Sequence, residues 1–388
     1  MSFDFDSTTV HDLQQSASKK WGEFPGELCM WVAEMDFGLA PAVAESIRQW
    51  ADNVSVGYTP GDLNQRVADA AAAWYSDTFH TELPARELTN VPNVLSAFDL
   101  ALARLVEPGT PVIVPTPAYM PFLTLPLRFG HPVIQVPSID DAGVQRFDLD
   151  AIDAAFKSGA QMLILVNPAN PTGRVYSRSE LEAISEIVSR HDGRVFVDEI
   201  HAPLALDAQF VPYASLSQEA RDHSITAFAP TKGWNMPGLK IAHLRLSNPD
   251  DEERLQPVLN VLADLVPTPG LSAALAAYTE GREWNQQLNR YLTANRDYFE
   301  AEVATIPGID VNHSEGTYIS WLDFRGLRAT GRIPEGTSPA QWMHTYGLAL
   351  TPGELLGEGY EDFARMIIAS PRHILEQGVG CLRRAATS

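Results

Sequence analysis

Short apolar runs rich in β-branched residues recur along the chain, separated by stretches with helical periodicity. Pro111-Val-Ile-Val114, Gln161-Met-Leu-Ile-Leu-Val166, Arg194-Val-Phe-Val197, Ile225-Thr-Ala-Phe228 and Ile241-Ala-His-Leu-Arg-Leu246 are continuous rather than alternating. That pattern predicts strands covered on both faces. Between the second and third runs, the segment from Ser177 to Arg190 opens with a Ser-x-x-Glu capping box. It sets Leu181, Ile184, Ile187 and Val188 on one helical face. Strands alternating with helices predict an α/β fold with a mostly parallel sheet sandwiched by helices.

Beyond about residue 250 the texture changes. Asp250-Asp-Glu-Glu253 reads as a solvated helix start, and a long helical region follows from about 255 to 304. Thr317-Tyr-Ile-Ser-Trp-Leu-Asp-Phe324 and Phe363-Ala-Arg-Met-Ile-Ile-Ala369 then read as strands on either side of a Gly/Pro-rich stretch. The expected organisation is a large domain over 45–285 and a smaller α+β domain over 286–388. The N-terminal segment 1–44 is expected to pack with the smaller domain.

The length of 388 residues allows two or three domains at roughly 100–200 residues each. Lys plus Arg is 28 and Asp plus Glu is 49, a net charge of −21. That surplus disfavours nucleic acid and anionic membrane as partners, since both are polyanions, and favours a small-molecule ligand. The two cysteines, Cys29 and Cys381, make neither a disulfide framework nor a metal-ligand pattern, so no metal is expected. The start of the chain lacks a signal-peptide pattern, and no apolar stretch approaches the roughly 18 residues a span requires. A cytoplasmic protein is expected.

In open α/β sheets, ligands sit beyond the carboxyl ends of the strands. Four of the five apolar runs end in sequences with chemical potential: Pro115-Thr-Pro-Ala-Tyr119, Asn167-Pro-Ala-Asn170-Pro-Thr-Gly173, Asp198-Glu-Ile-His201, and Ala229-Pro-Thr-Lys232-Gly-Trp-Asn-Met-Pro-Gly238. Singly each has a bland reading, as a turn, a helix cap, a solvated lysine or a half-buried tyrosine. Their co-occurrence at one end of one sheet points instead to a site.

This set resembles the fold-type I pyridoxal-phosphate enzymes of the aspartate aminotransferase superfamily. Within that superfamily it is most similar to the cystathionine β-lyase group of the MalY/PatB type. The residues that carry the narrower resemblance are Trp31-Val-Ala-Glu-Met-Asp-Phe37, Gly57-Tyr-Thr59, and Asp-Glu-Ile-His where Asp-Glu-x-Tyr is common.

The resemblance implies pyridoxal 5′-phosphate as cofactor and assigns the roles. Lys232 bonds to the cofactor aldehyde and, once displaced by substrate, serves as general base, for which its amine needs a depressed pKa. Asp198 keeps the ring nitrogen protonated, Asn170 donates to the ring phenolate oxygen, and Tyr119 stacks on the ring. For the phosphate, the donors implied are the backbone N–H groups of Val94 and Leu95 at a helix start, the Thr231 hydroxyl, and Lys240. Tyr58 reaches the phosphate from the second subunit of a homodimer. Arg372, in Ala369-Ser-Pro-Arg372, is expected to take the substrate α-carboxylate with a planar, two-pronged guanidinium. Trp31 and Met35 are placed in the substrate pocket, with packing of the N-terminal segment as the alternative.

The residues shared across the superfamily set the cofactor and leave the reaction open. His201 stands where typical aminotransferases have a tyrosine that shares the phenolate oxygen, and this favours the lyase group. The expected reaction is β-elimination from L-cystathionine or another S-substituted L-cysteine, giving a thiol, pyruvate and ammonia. An aminotransferase is the alternative, and a non-catalytic regulatory cofactor-binding protein a remote one.

Overall fold

A computed structural model describes residues 3–53, 57–141 and 143–388. Its centre is a seven-stranded sheet built from β1 (Leu88–Val91), β2 (Val112–Thr116), β3 (Val133–Pro137), β4 (Met162–Val166), β5 (Arg194–Asp198), β6 (Ser224–Phe228) and β7 (Ala242–Leu246). The spatial order is β1-β7-β6-β5-β4-β2-β3. Only β7 runs against its neighbours, pairing antiparallel with both β1 and β6; the remaining pairings are parallel.

Successive residues of a strand point to opposite faces, and both faces here are covered. Val112, Val114, Met162, Ile164 and Phe196 pack into one apolar layer with the helix Val94–Leu105. Ile113, Leu163, Leu165, Val195 and Val197 pack into another with the helices Leu149–Lys157 and Arg178–Arg190. The centres of β2, β4 and β5 are therefore apolar on both faces. The expected capping box forms: the Ser177 hydroxyl accepts the Glu180 N–H at 3.3 Å, and the Glu180 carboxylate accepts the Ser177 N–H at 2.8 Å.

Two strands escaped the sequence pattern. β1 and β3 lie at the sheet edges, and β3 has intermediate burial at its first three positions, so neither reads as a continuous buried run. The long helical region after residue 250 is three helices, Pro249–Asp264, Thr268–Thr279 and Arg282–Val303, and the first two are bent by 96°. Proline at Pro267 forces the first break and starts the next helix. The acidic start is not wholly solvated. Asp251 is buried and receives both Nη atoms of Arg194. Among the described residues no single helix is long and apolar enough to cross a membrane.

A second, antiparallel sheet contains β8 (Asp310–Val311), β9 (Ile319–Asp323), β10 (Thr351–Pro352) and β11 (Phe363–Ile367), in the order β8-β9-β11-β10. The N-terminal segment runs beside it, with Leu28–Cys29 pairing parallel to Leu348–Ala349. A buried ion pair holds that segment in place. Asp36 accepts from Lys20 Nζ at 2.7 Å, Trp21 Nε1 at 2.8 Å and Ser370 Oγ at 2.6 Å. Full hydrogen bonding is what makes such a pair tolerable away from water.

Candidate active site

Because β2, β4, β5 and β6 are parallel, their carboxyl ends share one edge of the sheet. The ladder continues one residue past the strands: Asn167 N–H donates to Asp198 O at 3.0 Å, and Glu199 N–H to Ala227 O at 2.8 Å. Asp198 ends β5 at this edge, and the turns that follow β4 and β6 deliver Asn170 and Lys232 to it.

Lys232 lies in a single helical turn, Pro230–Gly233, directly after β6. Its amine donates to the backbone carbonyl of Ala33 at 2.7 Å. Burial, with the Arg365 charge second, lowers its pKa to about 8; Glu34 and Asp198 oppose that shift. Burial pushes Asp198 up to about 7, against the pull of the Ile200 N–H at 3.0 Å and the Lys232 charge. His201 is buried, and burial with the charges of Lys232 and Arg365 drives its pKa down, leaving a neutral ring. Among the described residues its Nδ1 has no hydrogen-bond partner. Tyr119, at the start of the helix Met120–Arg128, is raised chiefly by burial and feels both Arg365 and Asp198.

Arg365 completes this cluster, although its position in an apolar strand drew no attention in the sequence. It comes from β11 and is buried. Its Nη1 donates to Asn170 Oδ1 at 3.2 Å; its Nη2 donates to Trp31 O at 3.1 Å and Thr351 Oγ1 at 3.2 Å. Among the described residues its Nε has no acceptor. Burial lowers its pKa to about 10, so it remains a cation with donors to spare at neutral pH. The signal was available: an arginine inside an apolar strand is a buried charge, and a buried charge needs a partner.

Arg372 does not reach the cluster, contrary to the expectation from the Ala369-Ser-Pro-Arg372 segment. It begins the terminal helix Arg372–Thr387, where its Nε donates to Asn295 Oδ1 at 2.9 Å and its Nη2 to Ala294 O at 2.7 Å. The guanidinium also lies 4.4 Å above the Tyr298 ring. These contacts commit it to the helix Arg282–Val303. Seven residues upstream on the same connection, Arg365 points at the sheet edge instead.

Val94 and Leu95 form the first turn of the helix Val94–Leu105, whose cap is made by Asn93 Oδ1 accepting Ser96 N–H at 2.9 Å. That bond serves the third residue of the helix, and the N–H groups of Val94 and Leu95, in its first turn, have no intrahelical acceptor. Thr231 is buried beside Lys232; Lys240 is exposed, in a left-handed conformation, and its charge acts on Lys232. Tyr58 is fully exposed. The Trp31 indole donates to Lys20 O at 3.0 Å and packs on Phe24, so its carbonyl, not its ring, faces the cluster. Met35 is buried. Also present is Tyr318, whose hydroxyl donates to Ala33 O at 3.0 Å and whose ring stands edge-on to His201.

A model of the aminotransferase class I and II family matches residues 30–373. The chain belongs to that family. The cystathionine beta-lyase of Corynebacterium glutamicum is 33% identical over 380 residues, covering 97% of this chain and 98% of its own length. The cystathionine beta-lyase PatB of Bacillus subtilis is 30% identical over 381 residues, covering 95% and 96%. A solved structure from Corynebacterium diphtheriae, assigned as a pyridoxal-phosphate-dependent beta-cystathionase, superposes with a TM-score of 0.91 at 33% identity. That superposition covers 100% of this chain and 99% of the other.

The site of this aminotransferase-family chain fits pyridoxal 5′-phosphate. A cationic ring nitrogen suits Asp198, a carboxylate that burial leaves half-protonated near neutral pH until a cation is brought to it. An aldehyde suits the Lys232 amine, and the open Nε–H of the Arg365 cation suits an anionic oxygen of cofactor or substrate.

The same electrostatics predict a pH effect on the cofactor-free protein. Asp198 and Glu199 are both raised to about 7 in the folded chain, against about 4 when unfolded. A raised carboxyl pKa means that the folded state holds the proton longer, so stability is lost as pH rises from about 4 through about 7. For Asp198 alone the loss amounts to about 4 kcal/mol. Denaturant unfolding of the cofactor-free protein should show falling stability between about pH 5 and pH 8. Asp198→Asn should flatten that slope; an unchanged slope would refute the shift.

Proposed function

We propose that the protein is a pyridoxal-phosphate-dependent carbon–sulfur β-lyase. Its substrates are L-cystathionine or other S-substituted L-cysteines, and its products a thiol, pyruvate and ammonia. The observation that carries this reading is the Lys232 amine, held at a pKa of about 8 within one cluster with Asp198, Asn170 and the buried cation Arg365. The near full-length likeness to cystathionine beta-lyases narrows the chemistry from amino-acid enzyme to lyase.

When bound, pyridoxal phosphate supplies an electron sink that lets the α-carbon lose its proton and the β-carbon lose its sulfur. Asp198 would hold the ring nitrogen's proton, Asn170 would donate to the phenolate oxygen, and Tyr119 would cover the ring. Arg365 takes the α-carboxylate with the charged donors that its protein partners leave open, and so orients the α-C–H toward Lys232. Lys232 accepts that proton; with a pKa near neutrality it is free base in a useful fraction of molecules. The ammonium so formed is the acid at hand for the departing thiolate. His201, buried and neutral, adds no positive charge near the phenolate oxygen. Aminoacrylate leaves the enzyme and goes on to pyruvate and ammonia by tautomerisation and hydrolysis.

The phosphate is taken by the N–H groups of Val94 and Leu95, Thr231 and Lys240. We read the chain as a large domain (45–285) over which the N-terminal segment (1–44) and the C-terminal domain (286–388) close. Full exposure of Tyr58 supports a homodimer in which this tyrosine reaches the neighbouring subunit's phosphate. Cys29 and Cys381 are buried free thiols, and we read the protein as cytoplasmic. The test supplies holoenzyme with L-cystathionine alone, then with an amino acid plus 2-oxoglutarate. Pyruvate and free thiol should appear without any oxo-acid acceptor. Glutamate formation with no thiol release would overturn the lyase reading in favour of transamination.

A further inference from the structure

The segment Trp31–Phe37 is conspicuous in the sequence, yet its side chains contribute little to the cluster. Its backbone does. Carbonyls two residues apart face the site: Trp31 O accepts Arg365 Nη2 at 3.1 Å, and Ala33 O accepts Lys232 Nζ at 2.7 Å and Tyr318 Oη at 3.0 Å. Asn235, three residues past Lys232, grips the same segment. Its Nδ2 donates to Met35 O at 3.0 Å and Gly38 O at 2.9 Å, and its Oδ1 accepts Met35 N–H at 3.0 Å. A φ of +53° aims this side chain back at the segment, a conformation that asparagine tolerates better than most residues.

Lys232 and Ala33 are thus joined twice, directly through the amine and indirectly through Asn235 and Met35. The turn between Lys232 and Asn235 is itself anchored: Gly233 O accepts Asn285 Nδ2 at 3.0 Å, and the buried Trp234 donates from Nε1 to Gly281 O at 2.8 Å. What remains soft is the lysine stem, with its four rotatable carbons. A fixed acceptor at Ala33 removes that freedom, provided the segment itself cannot drift.

We propose that Asn235 is a positioning residue: its three-bond clasp on residues 35–38 keeps the Ala33 carbonyl where it holds the Lys232 amine for reaction with the cofactor aldehyde. This rests on the reading of Lys232 as the lysine that bonds to the cofactor. In that reaction the amine nitrogen bonds to the aldehyde carbon and the aldehyde oxygen leaves as water.

The test compares two ligands of the full-length protein. Pyridoxal 5′-phosphate condenses with the lysine, whereas pyridoxamine 5′-phosphate, lacking the aldehyde, fills the site without doing so. Asn235→Gly suits the left-handed backbone and removes only the clasp. It should lower the affinity for pyridoxal phosphate about tenfold or more, since small misplacements of a reacting group are costly. Affinity for pyridoxamine phosphate should not change. Asn235→Asp, which keeps the acceptor for Met35 N–H but loses both donors, should show the same selective loss. Equal weakening of both ligands would make Asn235 a merely structural residue and overturn the proposal, as would no weakening of either. Lys232→Ala is the control. If, relative to the wild type, it weakens both ligands equally or neither, the lysine reading itself falls and the proposal with it.

Discussion

Lys232→Ala should leave a protein that binds pyridoxal phosphate without a covalent bond and turns over substrate roughly 10³-fold more slowly or worse, because a positioned general base alone contributes roughly 10²–10⁴-fold. The amine owes its reactivity to burial and to the Arg365 charge, which together bring its pKa to about 8. Lys232→Arg should fare no better, since a guanidinium stays protonated and cannot condense with an aldehyde. Borohydride reduction followed by mass measurement decides the matter. Cofactor fixed to Lys232→Ala as well as to the wild type would show that another residue makes the bond.

Arg365→Ala should lower kcat/KM by roughly 10²–10⁴-fold, with most of the effect in KM. Two charge-assisted hydrogen bonds to a carboxylate are at stake, each worth about 1.5–3 kcal/mol. Arg372→Ala should change kcat/KM little. Its guanidinium is engaged by Asn295, Ala294 and Tyr298, so the cost should appear as lost stability of the contact between the terminal helix and the helix Arg282–Val303. Kinetics of the two variants side by side separate the arginines. A large kinetic loss in Arg372→Ala with a near-normal Arg365→Ala would restore the assignment that the sequence alone suggested. Arg365→Lys should be intermediate, because an ammonium keeps the charge and loses the planar fork.

Much of the architecture was legible because burial on both faces writes itself into sequence. The five continuous apolar runs are all strands of the large sheet, and the Ser177 capping box is a helix start. The edge strands β1 and β3 were not legible: β1 carries Thr89 and Asn90 at its centre, and β3 is partly in contact with solvent, so neither has the continuous apolar pattern. Nor was the fate of Asp251 at the start of the helix Pro249–Asp264, whose burial depends on Arg194 reaching it from β5.

The sequence by itself determined which chemical groups stand at the carboxyl ends of β2, β4, β5 and β6, because parallel strands place their following turns at one edge. From those groups it pointed to the cofactor. The tertiary structure decided which cation joins them. Arg365 and Arg372 lie on one short stretch and both are plausible by type, but only pairing of β11 with β9 and β10 turns Arg365 toward Asn170. It also decided what holds Lys232. The acceptor is the carbonyl of Ala33, a group every residue carries, so no side-chain pattern could announce it, and its place depends on contacts nearly two hundred residues apart in the chain.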